Sequence, residues 1–395
     1  MRASFATAPI VFLLATALPA SAQPISNLSE GTTRTTSRAS LQIGGYAELF
    51  YQWNFNEPSN GLTALRGFDN HHNTFTIANA VLDAAGKLGP VSARVALQVG
   101  HTPDTYYLAE PTVPGSSSVN ASGPNLWKYI QQAWVAYTIP VGKGLLVDAG
   151  IFLSPIGPEG MAVKDQWNWS RSDLFFGLPF YHTGIRLTYG FTDRITLSAQ
   201  VYNGWNSVVD NNPEKSMALQ FTYAIPDKLT YQFIYFTGVE RPVGAPEGRA
   251  WRHLFDTYLA AYPLKWLSLL AHANGGFEPN AFGTSGWAAG ALYVRFLPLR
   301  WLSIALRGDL FWEHVAANAS GRAAPILWPV EWVSSATGTL DLHPVDNLSV
   351  RLEYRHDHAA GDAYFKGAVA TDLAGAFVAN ARAQDTLTVG MTTWF

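Results

Sequence analysis

His356-Asp357-His358 places two imidazoles two residues apart, the spacing at which side chains on a β-strand share a face, and neutral imidazole is a ligand for zinc or copper. Two ligands do not complete a metal site. The alternative is that both rings lie at an interface while Asp357 turns the other way. His71, His72, His101 and His314 are further candidate general bases, and Asp69 and Asp357 are near enough in sequence to orient an imidazole for hydrolysis. No Gly-x-Ser-x-Gly elbow and no His-Glu-x-x-His accompanies them. Asp104, Glu110, Asp210 and Glu214 could ligate calcium, but they lack EF-hand spacing. With Cys 0, thiolate metal sites, disulfides and cysteine nucleophiles are excluded. These residues define no catalytic site and call for no metal or cofactor.

A second class of polar residue recurs with period two. Arg351, Glu353, Arg355 and Asp357 alternate with Leu348, Val350, Leu352 and Tyr354, and Ser303, Arg307, Asp309 and Glu313 share the face opposite Leu302, Ile304, Leu306, Leu310 and Trp312. Such strands have one face for lipid and one for water or for each other's charges. An Arg on the lipid face near mid-membrane would cost about 2–4 kcal/mol, which fixes the direction of each charge. The same argument turns Arg94, Gln98, Asp148, Arg186, Gln200, Gln220, Gln232, Asp256, Arg295 and Asp341 inward. Strands 73–87 and 266–276 are ambiguous by this test. Inward Arg–Asp and Arg–Glu pairs could line a wet channel, knit the wall across strands, or do both.

The elements that must carry these faces are strands throughout. Of 395 residues, 48% are hydrophobic but only 14% charged, and the aromatic share is 13%, with Trp 14, Tyr 17 and Phe 22. A barrel in a membrane accounts for both, since its outer band is apolar around the circumference and edged by aromatic girdles. Residues 1–22, with Arg2, an apolar run and Ala20-Ser21-Ala22, have the shape of a secretory signal peptide. Residues 23–41, rich in Ser, Thr and Arg, are expected to form a disordered periplasmic lead. No later run reaches the ~18 apolar residues of a membrane helix, so a membrane-embedded chain must close its backbone hydrogen bonds in a barrel.

Strand candidates fall at 42–55, 73–87, 91–101, 127–140, 145–153, 181–191, 194–205, 217–226, 228–239, 253–263, 266–276, 287–298, 301–314, 330–343, 347–358 and 385–395. Their connections alternate short and long. Turns such as Leu88-Gly89-Pro90 and Pro344-Val345-Asp346 alternate with long segments 56–72, 102–126, 154–180 and 359–384. The expected fold is all-β: a transmembrane antiparallel β-barrel of about 16 strands over 42–395, with short periplasmic turns and long extracellular loops. A soluble sandwich predicts neither that alternation nor a chain ending on Trp394-Phe395. About sixteen strands enclose an aqueous space, whereas about eight are filled by side chains.

The third long loop, 154–180, is too aromatic to lie bare in water. Folded into the barrel mouth, it would place Glu159, Lys164, Asp165, Trp167, Trp169, Arg171 and Asp173 at a constriction. Packed on the rim or a neighbouring subunit, it would be a cap instead. Arg94, Asp148, Arg186, Arg307, Asp309, Glu313, Arg351, Glu353 and Arg355 are the candidate pore-lining residues.

Segments 45–58 (GYAELFYQWNFNEP), 69–75 (DNHHNTF), 106–111 (YYLAEP), 148–152 (DAGIF), 182–189 (HTGIRLTY) and 202–205 (YNGW), in this order, resemble the OmpL-like β-barrel porin family, porin-2 type. The resemblance implies a Gram-negative outer-membrane barrel with pore function and carries no motif-defined catalytic residues. Thr393 departs from the usual barrel ending, where a bulkier residue is common. The expectation is a water-filled channel for passive diffusion of small hydrophilic solutes, with weak charge selectivity because inward charges of both signs are about equal in number. A substrate-specific channel remains open, in which loop aromatics with Trp134 or Tyr202 stack on a sugar-like ligand. A surface adhesin and a rim-sited hydrolase are weaker alternatives. Partners expected are outer-membrane lipid, the barrel assembly machinery through the C-terminal strand, small solutes and further copies of the chain, as a trimer. A formal net charge of -3 offers no basic field for nucleic acid.

Overall fold

The computed structural model describes residues 39–108, 110 and 124–395. The expected signal segment 1–22 and all but the end of 23–41 lie outside the described residues. The first strand begins at Ser40, two residues before the expected boundary.

Sixteen antiparallel strands close into one barrel. In chain order they are β1 (Ser40–Asn54), β2 (Thr74–Leu88), β3 (Val91–Val99), β4 (Ile130–Ile139), β5 (Leu145–Leu153), β6 (Tyr181–Gly190), β7 (Ile195–Tyr202), β8 (Ser216–Ile225), β9 (Leu229–Val239), β10 (Trp251–Leu264), β11 (Leu267–Asn280), β12 (Gly283–Leu299) and β13 (Leu302–His314), then β16 (Trp332–Val345), β17 (Leu348–Ala359) and β18 (Ala383–Trp394). Between them β14 (Ala317–Asn318) and β15 (Gly321–Arg322) form a small ladder within a loop, outside the wall. β1 pairs with β18 in the register Gln52↔Thr388, and Phe395 N donates to Gly45 O at 3.1 Å, so no edge is left at the seam.

Alternation explains why these segments sit as strands in this order. Leu219, Leu292, Leu306, Leu352 and Val389 are exposed on the outer surface, and Trp266, Trp301 and Phe191 stand at the turn end. Phe75, Phe277 and Trp312 mark the loop end, giving the two aromatic belts of a membrane-embedded wall. Turns at one end are tight. In the β2–β3 turn Gly89 takes φ 58, a conformation that costs glycine little.

Two strands that alternation alone leaves ambiguous are resolved by specific features. In β2 the pairing passes from Glu48↔Asn79 to Leu49↔Ile77, so Ala78 is an extra residue and both Ala78 and Asn79 are buried inside. In β11 the inward face carries Leu270 beside His272 and Asn274, because Leu270 packs in a lumenal apolar cluster with Trp167 and Tyr293. At the loop end one connection is shorter than expected. β11 and β12 extend until only Ala281 and Phe282 join them.

Candidate functional site: the lumen and its inward-folded loop

The segment between β5 and β6 folds into the barrel and runs beneath its mouth. Rich in Pro and Gly, it adds no strand, so its peptide groups need other partners inside the wall. Its root is tied by Ser154 N donating to Phe180 O at 2.9 Å. The Ser154 hydroxyl faces His182 Nε2 at 3.2 Å while His182 Nδ1 faces Gly204 O at 3.0 Å. The carbonyl requires a proton on Nδ1, so Nε2 accepts from the serine. His182 is fully enclosed and stacked under Tyr202 while Ser154 is half-buried, which makes the pair a structural tie.

From that root the loop crosses the lumen. Pro155 O accepts from Gln232 Nε2 at 2.7 Å and Gly157 N donates to Asp256 Oδ1 at 3.1 Å, with His272 on the other carboxylate oxygen at 2.6 Å. Val163 N donates to Glu48 Oε1 at 2.5 Å. Arg351 then donates to Val163 O at 2.9 Å, Asn168 O at 3.0 Å and Gln166 O at 2.8 Å, and its Nε holds Asp341 at 3.0 Å. Arg351 is the fourth residue of β17 counted from its turn end, so the loop reaches well down the barrel.

Farther along, Glu353 accepts from Trp169 N at 2.5 Å and Ser170 N at 2.9 Å. Arg307 donates to Ser170 O at 2.6 Å and Arg171 O at 3.2 Å, and Asp309 accepts from Asp173 N at 2.9 Å. Arg355 bonds Arg171 O and pairs with Asp173 at 2.7 Å and Asp357 at 2.5 Å. Guanidinium groups thus satisfy the loop's carbonyls and carboxylates its amides, as burial demands. Inside the loop, Arg171 donates to Gly160 O at 3.1 Å and Trp169 O at 3.0 Å, and Glu159 accepts from Ser172 N at 3.1 Å.

The aromatics have fitted seats. Trp169 packs with Phe50 and Val163 over Gly390, where an added Cβ would come within 2.2 Å of the indole. Trp167 meets Tyr293 edge-on at 6.4 Å, and the Arg295 guanidinium lies 4.8 Å from its ring centroid. Lys164 and Asp165 pair with each other at 2.8 Å and remain partly exposed.

The nine candidate pore-lining residues all face inward, but in different settings. Arg307, Asp309, Arg351, Glu353 and Arg355 are buried against the loop. Glu313 is buried too, accepting from Ile326 N at 2.6 Å, Leu327 N at 3.0 Å and Trp328 N at 2.8 Å in the loop before β16. On the opposite wall, Arg94 bonds Asp83 at 2.9 Å and Arg186 bonds the enclosed Asp148 at 3.1 Å. Arg94, Arg186, Thr188, Gln220 and Thr222 are there half-buried.

The remaining chemical candidates separate. His356 and His358 turn outward while Asp357 turns in, and among the described residues no group of three ligands could hold a metal. Asp104 pairs with Lys128, Asp210 with Lys215 and Glu214 with Arg249, so the calcium candidates do not converge. Glu110 accepts from Val208 N at 3.0 Å and Val209 N at 3.1 Å, and burial raises its carboxyl above the ordinary range. The rings of His71 and His101 lie against each other, tilted by 35° with centroids 3.9 Å apart, where the first and second loops meet. Burial there pulls His101 down to about 4.

Residues without a local signal complete the arrangement. Arg66, in the first loop, pairs with Asp69 and reaches Asp357 at 3.4 Å. Glu48 was detectable only as an inward carboxylate between Ala47 and Leu49.

Comparison with known proteins agrees with this geometry. The sequence model of the family described as "Putative beta-barrel porin-2, OmpL-like" matches residues 40–395. No curated protein matches the sequence. Among solved structures, the outer membrane channel DcaP of Acinetobacter baumannii superposes with TM-score 0.56 at 10% identity, covering 90% of this chain and 97% of that one. The anion-selective porin from Comamonas acidovorans gives 0.56 at 10% identity, covering 91% and 100%. The trimer form of OmpT from Vibrio cholerae gives 0.56 at 8% identity, covering 90% and 99%. At these identities the likeness is one of fold.

Proposed function

The chain belongs to the OmpL-like porin-2 family of outer-membrane β-barrels, and from that premise we propose that it is a diffusion channel for small hydrophilic solutes. Segment 154–180 narrows its lumen to a passage along β2–β8. The observation that carries this reading is the asymmetry of the inner wall. On one side charges are enclosed by the loop; on the other, Arg94, Arg186, Thr188, Gln220 and Thr222 are half-buried and can be wetted, between buried groups such as Gln98, Asp148 and Gln200.

Arg94, Asp83, Arg186, Lys164 and Asp165 are among the charged groups with access to that passage. With Asp83 paired to Arg94 and Asp148 to Arg186, their fields largely cancel, which supports weak ion selectivity. Trp169 and Arg171 act by holding the loop, not by meeting the solute. The barrel would sit in the outer membrane of a Gram-negative cell, with its short turns, the start of β1 and the end of β18 on the periplasmic side. Phe395, exposed beside the seam, would present the last strand to the assembly machinery. Assembly as a trimer is part of the same proposal, prompted by the OmpT trimer form.

Purified, heat-modifiable barrel in planar bilayers should give discrete conductance steps, with a reversal potential near zero in a salt gradient. Folded protein that never conducts would overturn the channel reading. Cross-linking in detergent that yields only monomer would remove the trimer.

A further inference from the structure

We infer that β7 and β8, on the open wall, form a track for uncharged polyhydroxylated solutes, with Gln220 as its central hydrogen-bonding group. This names a solute class for the channel reading and rests on it. β7, β8 and the adjoining β9 contain no Asp, Glu, Lys, Arg or His, whereas every other strand of the wall except β4 contains at least one. The charges flanking this stretch are taken: Arg186 on β6 is held by Asp148, and on β10 Asp256 is held by His272 and Arg252 by Glu278. Two rows of hydroxyls and amides cross it in register, Thr188↔Ser198↔Gln220 and, nearer the turns, Thr196↔Thr222↔Gln232. Thr188, Thr196, Gln220 and Thr222 are half-buried and face the passage. A solute there meets groups that both donate and accept, and no full charge that would hold an ion.

The amide at the centre is held in place from both sides. Gln200 Nε2 donates to Gln220 Oε1 at 2.9 Å, and Gln220 Nε2 donates to Gln232 Oε1 at 2.8 Å. The chain is anchored at its ends, where Tyr202 OH donates to Gln200 Oε1 at 2.7 Å and Gln232 Nε2 donates to Pro155 O of the inward loop at 2.7 Å. Gln200 and Gln232 are buried, so they orient Gln220 without reaching the solute themselves. An amide offers two N–H donors and two lone pairs. Gln220 uses one of each in the chain; its other N–H meets the Thr222 hydroxyl only at 3.5 Å. A solute hydroxyl can replace that long contact by bridging Gln220 and Thr222, and a second can donate to the free lone pair of Gln220. Because the amide is already oriented, little ordering cost is left to binding.

Stopped-flow swelling of liposomes carrying the folded full chain, with ribitol as probe, reads the entry of a neutral solute, and potassium chloride conductance in bilayers reads ions. Ribitol should enter faster than ribonate, which matches it in carbon count and carries a carboxylate. In Gln220→Met, which keeps the length of the side chain and removes the amide, ribitol entry relative to potassium chloride conductance should fall about threefold. Thr222→Val, which keeps the shape and removes the hydroxyl, should lower the same ratio about twofold. A channel that admits ribonate as fast as ribitol, or that keeps its ratio in both variants, overturns the track and leaves the channel standing. A folded barrel that passes neither ribitol nor potassium chloride overturns the channel reading and the track with it.

Discussion

The two walls of the lumen carry similar residues and use them differently. On β13 and β17, Arg307, Asp309, Arg351, Glu353 and Arg355 are enclosed and bound to the peptide groups of the inward loop. On β2–β8, Arg94–Asp83 and Arg186–Asp148 are pairs between neighbouring strands, and Arg94 keeps about a quarter of its side chain exposed, 23%. A charge facing into a barrel is therefore not by itself a charge facing the solute. What separates the two uses is whether a loop without a ladder of its own lies against the wall and needs donors and acceptors there.

The most severe way to break the difference is to cut the latch. Arg355→Ala leaves Asp173 buried without its cation and Asp357 with Arg66 alone, and losing one partner of a buried pair costs about 3–5 kcal/mol. Heat modifiability on gels should show a clear fall in unfolding temperature, and single channels should become larger and noisier as the loop loosens. A quiet channel of unchanged size would mean the latch does not hold the loop.

Gly390→Leu attacks the same side sterically. The new side chain meets the Trp169 indole, and overpacking of this kind costs about 1–3 kcal/mol. Conductance should rise if the indole lifts the loop away from β18. Trp169→Ala in the same background should relieve the stability loss.

Acid should act on the contact where the first two loops meet. An unfolded imidazole protonates near 6.5, whereas folded His101 stays neutral until about 4 because it is buried beside His71. The unfolded form thus binds more protons between those values. The contribution of this contact is complete above about pH 6.5 and is lost progressively down to about pH 4. Protease cleavage between the first two loops should increase over that window and flatten in His101→Asn.

The smallest effect is expected on the open wall. Arg94→Gln removes a half-exposed pair worth no more than about 1 kcal/mol, so stability should barely move. Asp83 then stands unpaired in the passage, and the reversal potential in a salt gradient should shift by a few millivolts toward cation preference. The same substitution would be silent if solutes passed elsewhere.

The contrast also shows what a sequence of this kind reveals. All sixteen wall strands were legible, because alternation and short turns are local signals. Two faces were not. β2 hides an extra residue at Ala78, and β11 turns Leu270 inward because Trp167, over a hundred positions earlier, covers it. Inward direction was legible for Arg307, Glu353 and Arg355, since lipid would penalise the reverse. Their partners were not: Trp169 and Glu353 are 184 positions apart, and nothing local encodes that meeting. The aromatic content of 154–180 announced that the loop must pack, but left both the lumen and the rim open to it.

Because the chain has Cys 0, single cysteines can map the two walls directly. Thr188 and Thr222 lie half-buried on the open wall, whereas Thr337, Thr339 and Thr388 are buried on the latched side. A charged methanethiosulfonate reagent applied to single channels should reduce the current of Thr188→Cys and Thr222→Cys and leave Thr337→Cys, Thr339→Cys and Thr388→Cys unmodified. Equal modification on both sides would contradict a loop held against one wall.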